Sequence, residues 1–188
     1  MNPLNLINSV DLIKAILNWL QKPLPEICFE YKLSRGNEEN DYCQFRINRL
    51  SQKESLFFRL GVNNNGKTRI EDADMRIEKI EKVDARGNKQ KISSSPFFLH
   101  WANETTDNSR SIYFKTPVFI DILYTVKGES VAYFYPKEKH FGAGIKTCIT
   151  PGSWILTIKL LGANITPIEK KVKVDFNGKW DQLKISFI

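Results

Sequence analysis

The first 22 residues carry the pattern of an amphipathic helix, with apolar side chains at intervals of three and four. The predicted stripe consists of Leu6, Val10, Ile13, Leu17 and Leu20, with Ile7, Ile16 and Trp19 beside it. Pro23 and Pro25 cannot continue a helix, so an extended segment should begin there. We therefore predict one N-terminal amphipathic helix over residues 1–22.

After Pro25 the pattern changes to short runs of alternating apolar and polar side chains, which is typical of strands with one buried face. Gly, Asn, Pro and Ser separate these runs and favour turns. The predicted strands begin with residues 27–33 and continue with Tyr42–Leu50, Ser55–Val62, Pro96–Trp101, Val118–Val126, Val131–Tyr135, Ser153–Leu161, Ile168–Phe176 and Gln182–Ile188. This series predicts a mainly β fold, an antiparallel β-sandwich that forms a single domain over residues 26–188.

The segment Asp72–Ala85 fits two structures. Its helix-forming residues, its opposite charges three and four apart and the glycine that follows favour a helix. As a strand it would point Met75 and Ile77 toward the core, and Ile80 and Val83 would need a β-bulge to face the same way.

Residues Gly61–Thr68 read GVNNNGKT and match G-x-x-x-x-G-K-[ST], the pattern of loops that cradle nucleotide phosphates. On that hypothesis the protein is a nucleotide hydrolase in which Asp121 holds magnesium. The surroundings argue against it, because Arg59 would lie in a buried central strand and few helical segments follow to cover a parallel sheet. We predict instead a turn between two strands, with Lys67 in solvent and no nest of backbone amides for a phosphate.

A second stretch, Tyr133–Lys146, mixes aromatic rings, cations and a Gly-x-Gly. On one interpretation it binds a nucleotide or a single-stranded nucleic acid by stacking and charge. The ligand-binding residues would then be Lys67, Tyr133, Tyr135, Lys139, His140 and Lys146. On the other interpretation it is a strand with core aromatics that leads into a glycine-rich turn.

Composition narrows the function classes. The 188 residues carry a formal net charge of +7, spread along the chain, which permits anionic partners without requiring them. The three cysteines and two histidines show no metal-ligand spacing and no nucleophile with its base, so we predict no metal, no cofactor and no catalytic residue. An odd cysteine count without a secretory signal favours reduced thiols and a cytoplasmic location.

The run SLFFRLGVNNNGKTRIEDADMRIEKIE resembles a pattern in poorly characterised prokaryotic β-sandwich domains of immunoglobulin-like form. Phe98–Trp101 is similar to an aromatic strand of that family, and Ile149–Leu156 to a turn and strand near its end. The resemblance spans residues 26–188 and implies that Asp72–Ala85 is extended and that GVNNNGKT connects two strands. Relatives often carry membrane-spanning helices before the sandwich, and this chain departs from them in having only the amphipathic helix.

These patterns together predict a non-catalytic binding or scaffold module that engages a protein partner through the helix stripe. A nucleotide- or nucleic-acid-sensing β domain is the alternative, and the nucleotide hydrolase ranks third. No predicted segment is apolar enough to span a membrane, and residues 1–22 lack the features of a signal peptide. Few Lys or Arg flank the helix, which weighs against peripheral membrane contact.

Overall fold

The computed structural model describes residues 9–28, 33–35, 38–40, 43–47, 53–93, 95–102, 108–137 and 148–188. These ranges contain one helix, α1 (Ser9–Gln21), and fifteen strands. The strands are β1 (Pro25–Cys28), β2 (Leu33–Arg35), β3 (Glu38–Asn40), β4 (Cys43–Ile47), β5 (Glu54–Asn64), β6 (Ile70–Val83), β7 (Lys89–Ser93), β8 (Phe97–Phe98), β9 (Arg110–Ile112), β10 (Val118–Val126), β11 (Ala132–Phe134), β12 (Cys148–Ile149), β13 (Gly152–Leu161), β14 (Ile168–Phe176) and β15 (Lys184–Phe187). The predicted mainly β fold is therefore confirmed.

Two antiparallel sheets form the body of the protein, and a small hairpin joins β2 to β3. Sheet I has the order β1-β5-β10-β11-β12, with β4 pairing farther along β5. Sheet II has the order β15-β14-β13-β6-β7, and β6 is long enough to pair with β8 and β9 as well. The architecture is that of a β-sandwich.

The core lies between the inward faces of the two sheets. Alternation along each long strand supplies it, as in β5, where Phe58, Leu60 and Val62 are buried. Trp101 and Trp154 are the largest of the fully buried side chains. One contiguous hydrophobic cluster extends through both sheets.

Strand β6 settles the ambiguity of the segment Asp72–Ala85 in favour of a strand. Met75, Ile77 and Ile80 are buried, at 1% exposure or less. The register against β13 shifts between Thr157 and Ile158, which leaves Glu78 as the extra residue of a β-bulge. The bulge turns Ile80 to the same side as Ile77, as predicted for a strand. The same prediction for Val83 was wrong, because Val83 is opposite Ser153 and is not part of the core.

Residues Phe97–Ala102 pass from one sheet to the other. Strand β8 pairs with β6 of sheet II, and three residues later Trp101 bridges Ile120 of sheet I. The His100 amide donates to the Tyr135 carbonyl at 3.1 Å, so the crossing segment also contacts the end of β11. This crossing ties the two sheets together and positions His100 beside sheet I.

Candidate functional site at the N-terminal helix

Helix α1 projects its apolar stripe into solvent. Five apolar side chains are 48–56% exposed: Leu12, Ile13, Ile16, Leu17 and Leu20. At 100° per residue they fall within an arc of about 140°, so they form one continuous face. The charged side chains of Asp11 and Lys14 on the opposite side are exposed as well. The sandwich therefore covers neither face of the described helix.

Three of the predicted stripe residues, Ile13, Leu17 and Leu20, are among the exposed side chains. Leu6 lies outside the described residues. Val10 and Trp19 belong to α1, but their side chains are outside the described part of the structure. Sequence reasoning left out Leu12, although its period relative to Ile16 and Leu20 would have placed it on the same face.

The turn after β5 holds the C-terminal end of α1. The Thr68 amide donates to the Gln21 carbonyl at 3.0 Å, and the Thr68 hydroxyl donates to the same oxygen. Carbonyls in the last turn of a helix have no partner within the helix, so these bonds cap α1 at its end. The Asn65 amide donates to the Leu24 carbonyl at 2.9 Å, which fixes the segment beyond the helix.

Asn64 organises this turn from the interior. Its side chain is fully buried, and its Oδ1 accepts from the amides of Leu24 at 3.1 Å and Gly66 at 3.0 Å. Its Nδ2 donates to the carbonyls of Thr68 at 2.8 Å and Ile112 at 3.2 Å. One buried amide group thus joins the strand, the turn and the linker after α1. We call residues 63–68, with their bonds to Gln21 and Leu24, the latch.

Gly66 permits the close approach of the latch to the linker. A Cβ at this position would lie 2.1 Å from the Lys22 carbonyl oxygen and 2.5 Å from the Leu24 nitrogen. Backbone atoms cannot yield as a flexible side-chain end can, so only glycine fits here. The glycine that matched the phosphate-loop pattern serves a packing contact in this protein.

No family model, curated protein or solved structure matches this chain.

The geometry of the latch leaves the nucleotide hydrolase hypothesis without support. The amides of Asn65, Gly66 and Thr68 donate to protein oxygens, and the chain continues from the turn into the antiparallel strand β6. A phosphate loop needs free amides at the start of a helix. Lys67 is exposed, as the turn interpretation predicted.

Asp121 lies in an ion pair and not beside the latch. Its Oδ1 accepts from Arg59 Nε at 2.5 Å, and both side chains are 3% exposed or less. Arg59 lies in β5, a buried strand of an antiparallel sheet, whereas the phosphate-loop hypothesis required a parallel sheet. Its partner on the neighbouring strand neutralises the charge there.

The second predicted site falls on the outer face of sheet I. Ala132 and Phe134 point into the core, whereas Tyr133 and Tyr135 point outward, so the interpretation of both tyrosines as core residues is wrong. Tyr133 stacks on Tyr124 with ring centroids 5.2 Å apart, and Tyr124 stacks on Phe57 at 5.4 Å. Lys139, His140 and Lys146 lie outside the described residues.

The rings of this aromatic cluster pack mainly against one another. Tyr135 meets Tyr124 edge-on at 6.0 Å and His100 at 5.2 Å. Rings that stand on neighbouring strands cover one another's faces, so Tyr124 has neither face open to a base. A base-stacking platform requires open ring faces, which makes the cluster a poorer candidate site than α1.

A hydrogen bond at the edge of this cluster gives a testable pKa. The Tyr133 hydroxyl donates to Glu129 Oε2 at 2.7 Å, and this bond raises the pKa of Tyr133 to about 12. The same bond lowers the pKa of Glu129. We expect Glu129→Gln to bring the Tyr133 pKa back toward 10.0, as followed by tyrosinate absorbance on raising the pH.

Lys53 provides the control, because it contacts the other carboxylate oxygen of Glu129, Oε1, at 3.2 Å, whereas the Tyr133 hydroxyl donates to Oε2. Lys53→Gln should leave the Tyr133 pKa high. An unchanged titration in Glu129→Gln would show that this hydrogen bond does not form. Because the pKa of Tyr133 is raised in the folded state, its hydrogen bond to Glu129 stabilises the folded protein fully below pH 10. This stabilisation is lost as the pH rises toward 12.

No group of three or more His, Cys, Asp or Glu side chains among the described residues could hold a metal ion. No described helix is long and apolar enough to cross a membrane.

Proposed function

We propose that this protein is a non-catalytic binding module whose helix α1 inserts its apolar face into a groove of a protein partner. The observation that carries the proposal is the exposure of Leu12, Ile13, Ile16, Leu17 and Leu20, each at about half, on a helix whose described bonds to the sandwich lie at its C-terminal end. Apolar side chains at this spacing are the anchors by which amphipathic helices bind protein grooves.

The stability of α1 supports the need for a partner. An isolated helix of 13 residues is marginal in water, because the nucleation cost is not recovered without burial of an apolar face. The latch caps the C-terminal end but covers no side of the helix. A groove that buried the five apolar side chains would supply the missing stabilisation.

Charge favours a protein over a lipid surface. Helices that lie on membranes carry a polar face rich in Lys and Arg. In α1 the charged residues are one aspartate, Asp11, and one lysine, Lys14, so the helix itself is neutral. A protein groove lined by apolar side chains with a mixed polar rim matches this balance.

The latch supports the proposal by fixing the direction of α1. Because Gln21 and Leu24 are bonded to the turn, the helix enters a groove with part of its orientation already set. Such preorganisation lowers the entropy that binding must overcome. The immunoglobulin-like form of the sandwich and the cytoplasmic location remain predictions beside this proposal.

The test begins with a photocrosslinking amino acid at position 16 in cells that express the full chain. We expect one defined protein to crosslink. In the purified complex, Leu17→Ala should weaken binding by about 30-fold, the usual effect of removing a central apolar anchor. Isothermal titration calorimetry measures the dissociation constants.

Lys14→Ala is the matched control, since it truncates a side chain on the opposite side of the same helix. It should change the affinity less than about threefold. Crosslinks to lipid or to a second copy of this chain would contradict the proposal. So would equal losses of affinity in the two variants.

A further inference from the structure

The outer face of sheet II carries a surplus of positive charge. On β6, β7, β13, β14 and β15 the side chains that alternate with the buried ones point outward. Outward cations are Arg76, Lys79, Lys89, Lys91, Lys159, Lys171, Lys173 and Lys184, and outward carboxylates are Asp74, Glu78, Glu81, Glu169 and Asp175. We call this surface the basic face.

Most carboxylates of the basic face already have a cation. Asp175 pairs with Lys173 at 2.8 Å, and Glu81 pairs with Lys79 at 2.6 Å. Glu78 pairs with Arg76 at 2.7 Å. Asp74 pairs with the buried Lys137 at 2.9 Å, so the Asp74 carboxylate does not offset any of the outward cations. The ion pairs thus neutralise the centre of the face.

Four lysines remain in excess around this neutral centre. Lys89, Lys91, Lys171 and Lys184 are all exposed, and none has a carboxylate within 4.0 Å among the residues that the structure describes. Lys89 and Lys91 lie on β7, and the other two on β14 and β15. Three strand spacings separate β7 from β14 and four separate it from β15, which places the two lysine groups roughly 14–19 Å apart.

The face between them is polar. Phe98, opposite Arg76 on the edge strand β8, is an aromatic ring on the same side of sheet II, and it already lies 6.0 Å from the cations of Arg76 and Lys137. Ile155, at the centre of the face, is 5% exposed, so no apolar side chain is available there to insert into a bilayer. The outward positions of β6, β13 and β14 hold no Phe, Tyr or Trp that could stack on a base. Recognition between the two lysine groups is therefore limited to charge.

We propose that the basic face binds the phosphate backbone of nucleic acid without reading its sequence. Four lysines in excess, with no base-reading group between them, match the chemistry of non-specific backbone binding. This surface is on sheet II, so it differs from the Lys67 and Tyr133 candidates and does not depend on the docking of α1. The net charge of +7 also favours binding to a polyanion.

The test is the salt dependence of binding to a fluorescent mixed-sequence DNA duplex, measured by anisotropy on the full chain. Four lysine–phosphate contacts predict a slope of about −3.6 in a plot of log affinity against log salt. Affinity should therefore fall about 100-fold between roughly 50 and 200 mM salt. A scrambled duplex of equal length should bind equally well.

The double variant Lys91→Gln/Lys171→Gln removes one lysine from each group. Its slope should halve, so that the same salt change costs only about 10-fold. The control, Lys67→Gln/Lys115→Gln, removes the same charge from exposed lysines that lie off sheet II, and its slope should stay at the parent value. Circular dichroism confirms that both variants are folded.

Four results would overturn the proposal. The first is equal slopes in the double variant and its control, and the second is the absence of duplex binding at low salt. The third is binding to anionic phosphatidylserine vesicles in preference to the duplex, which would assign the charge to a membrane surface. A reduced slope in the control variant alone would place the binding site at the latch end of the sandwich.

Discussion

Replacing Gly66 with alanine is expected to open the latch and release helix α1 while the sandwich stays folded. The new methyl group would meet the Lys22 carbonyl oxygen at 2.1 Å, a distance that real Cβ atoms essentially never show. The linker and the end of α1 must move away, and three hydrogen bonds donated by backbone amides are then lost: Asn65 to Leu24, Thr68 to Gln21, and Leu24 to Asn64.

At about 1 kcal/mol each, those bonds stabilise the closed latch by roughly 3 kcal/mol. Hydrogen exchange measures the effect directly, since the Asn65 and Thr68 amides are protected only while the latch is closed. We expect their exchange to quicken about 100-fold in Gly66→Ala, with little change for the amides of β13. Unchanged protection at Asn65 and Thr68 would show that the latch tolerates a side chain there.

Gly87→Ala is the comparison for this experiment. A Cβ at Gly87 meets nothing within 4 Å, so the variant tests only the cost of its left-handed φ of 83°. That cost is about 1–2 kcal/mol and falls on the β6–β7 turn. Exchange at the latch should stay as in the parent protein, because the substitution touches neither the turn after β5 nor the linker.

The long strands could be predicted because their alternation is strong and their turns are local. Val118–Val126 and Ile168–Phe176 were predicted with the bounds that β10 and β14 have in the structure. Strands β9 and β12, with three and two residues, carry no period of their own. Their pairing with β6 and β11 depends on contacts distant in the sequence.

Strand β6 shows why local preference alone misleads. Its residues favour a helix, yet β13 on one side and β7 on the other pair with it as a strand. Packing of Met75, Ile77 and Ile80 in the core outweighs a propensity difference of less than about 1 kcal/mol per residue. The bulge at Glu78 was readable from the spacing of those side chains once a strand was assumed.

The candidate site was predictable in its residue types but not in its geometry. The periodicity of α1 identified an apolar face, but whether the sandwich buries that face depends on where the linker is attached. Asn64 was visible only as one of three asparagines in a turn. Its buried bonds reach Leu24 and Ile112, 40 and 48 residues away, and no local pattern predicts partners at that distance.

The ion pair between Arg59 and Asp121 should show the largest effect of any single substitution proposed for sheet I. The two residues are opposite each other on β5 and β10, and neither side chain is more than 3% exposed. Asp121→Asn removes the carboxylate that pairs with the buried Arg59 guanidinium. We expect a loss of about 3–5 kcal/mol in the free energy of unfolding, measured by urea denaturation.

The double variant Arg59→Met/Asp121→Leu separates the cost of losing the Asp121 carboxylate from the value of the pair itself. Buried pairs must overcome their own desolvation, so an apolar replacement of similar volume should recover most of the stability lost in Asp121→Asn. Glu71→Gln is the exposed comparison: Glu71 pairs with Arg69 at 3.1 Å with both side chains about half exposed, and its loss should cost less than about 1 kcal/mol. If the double variant were as unstable as Asp121→Asn, the charges would themselves stabilise sheet I, and the pair would have to be assigned a net favourable energy.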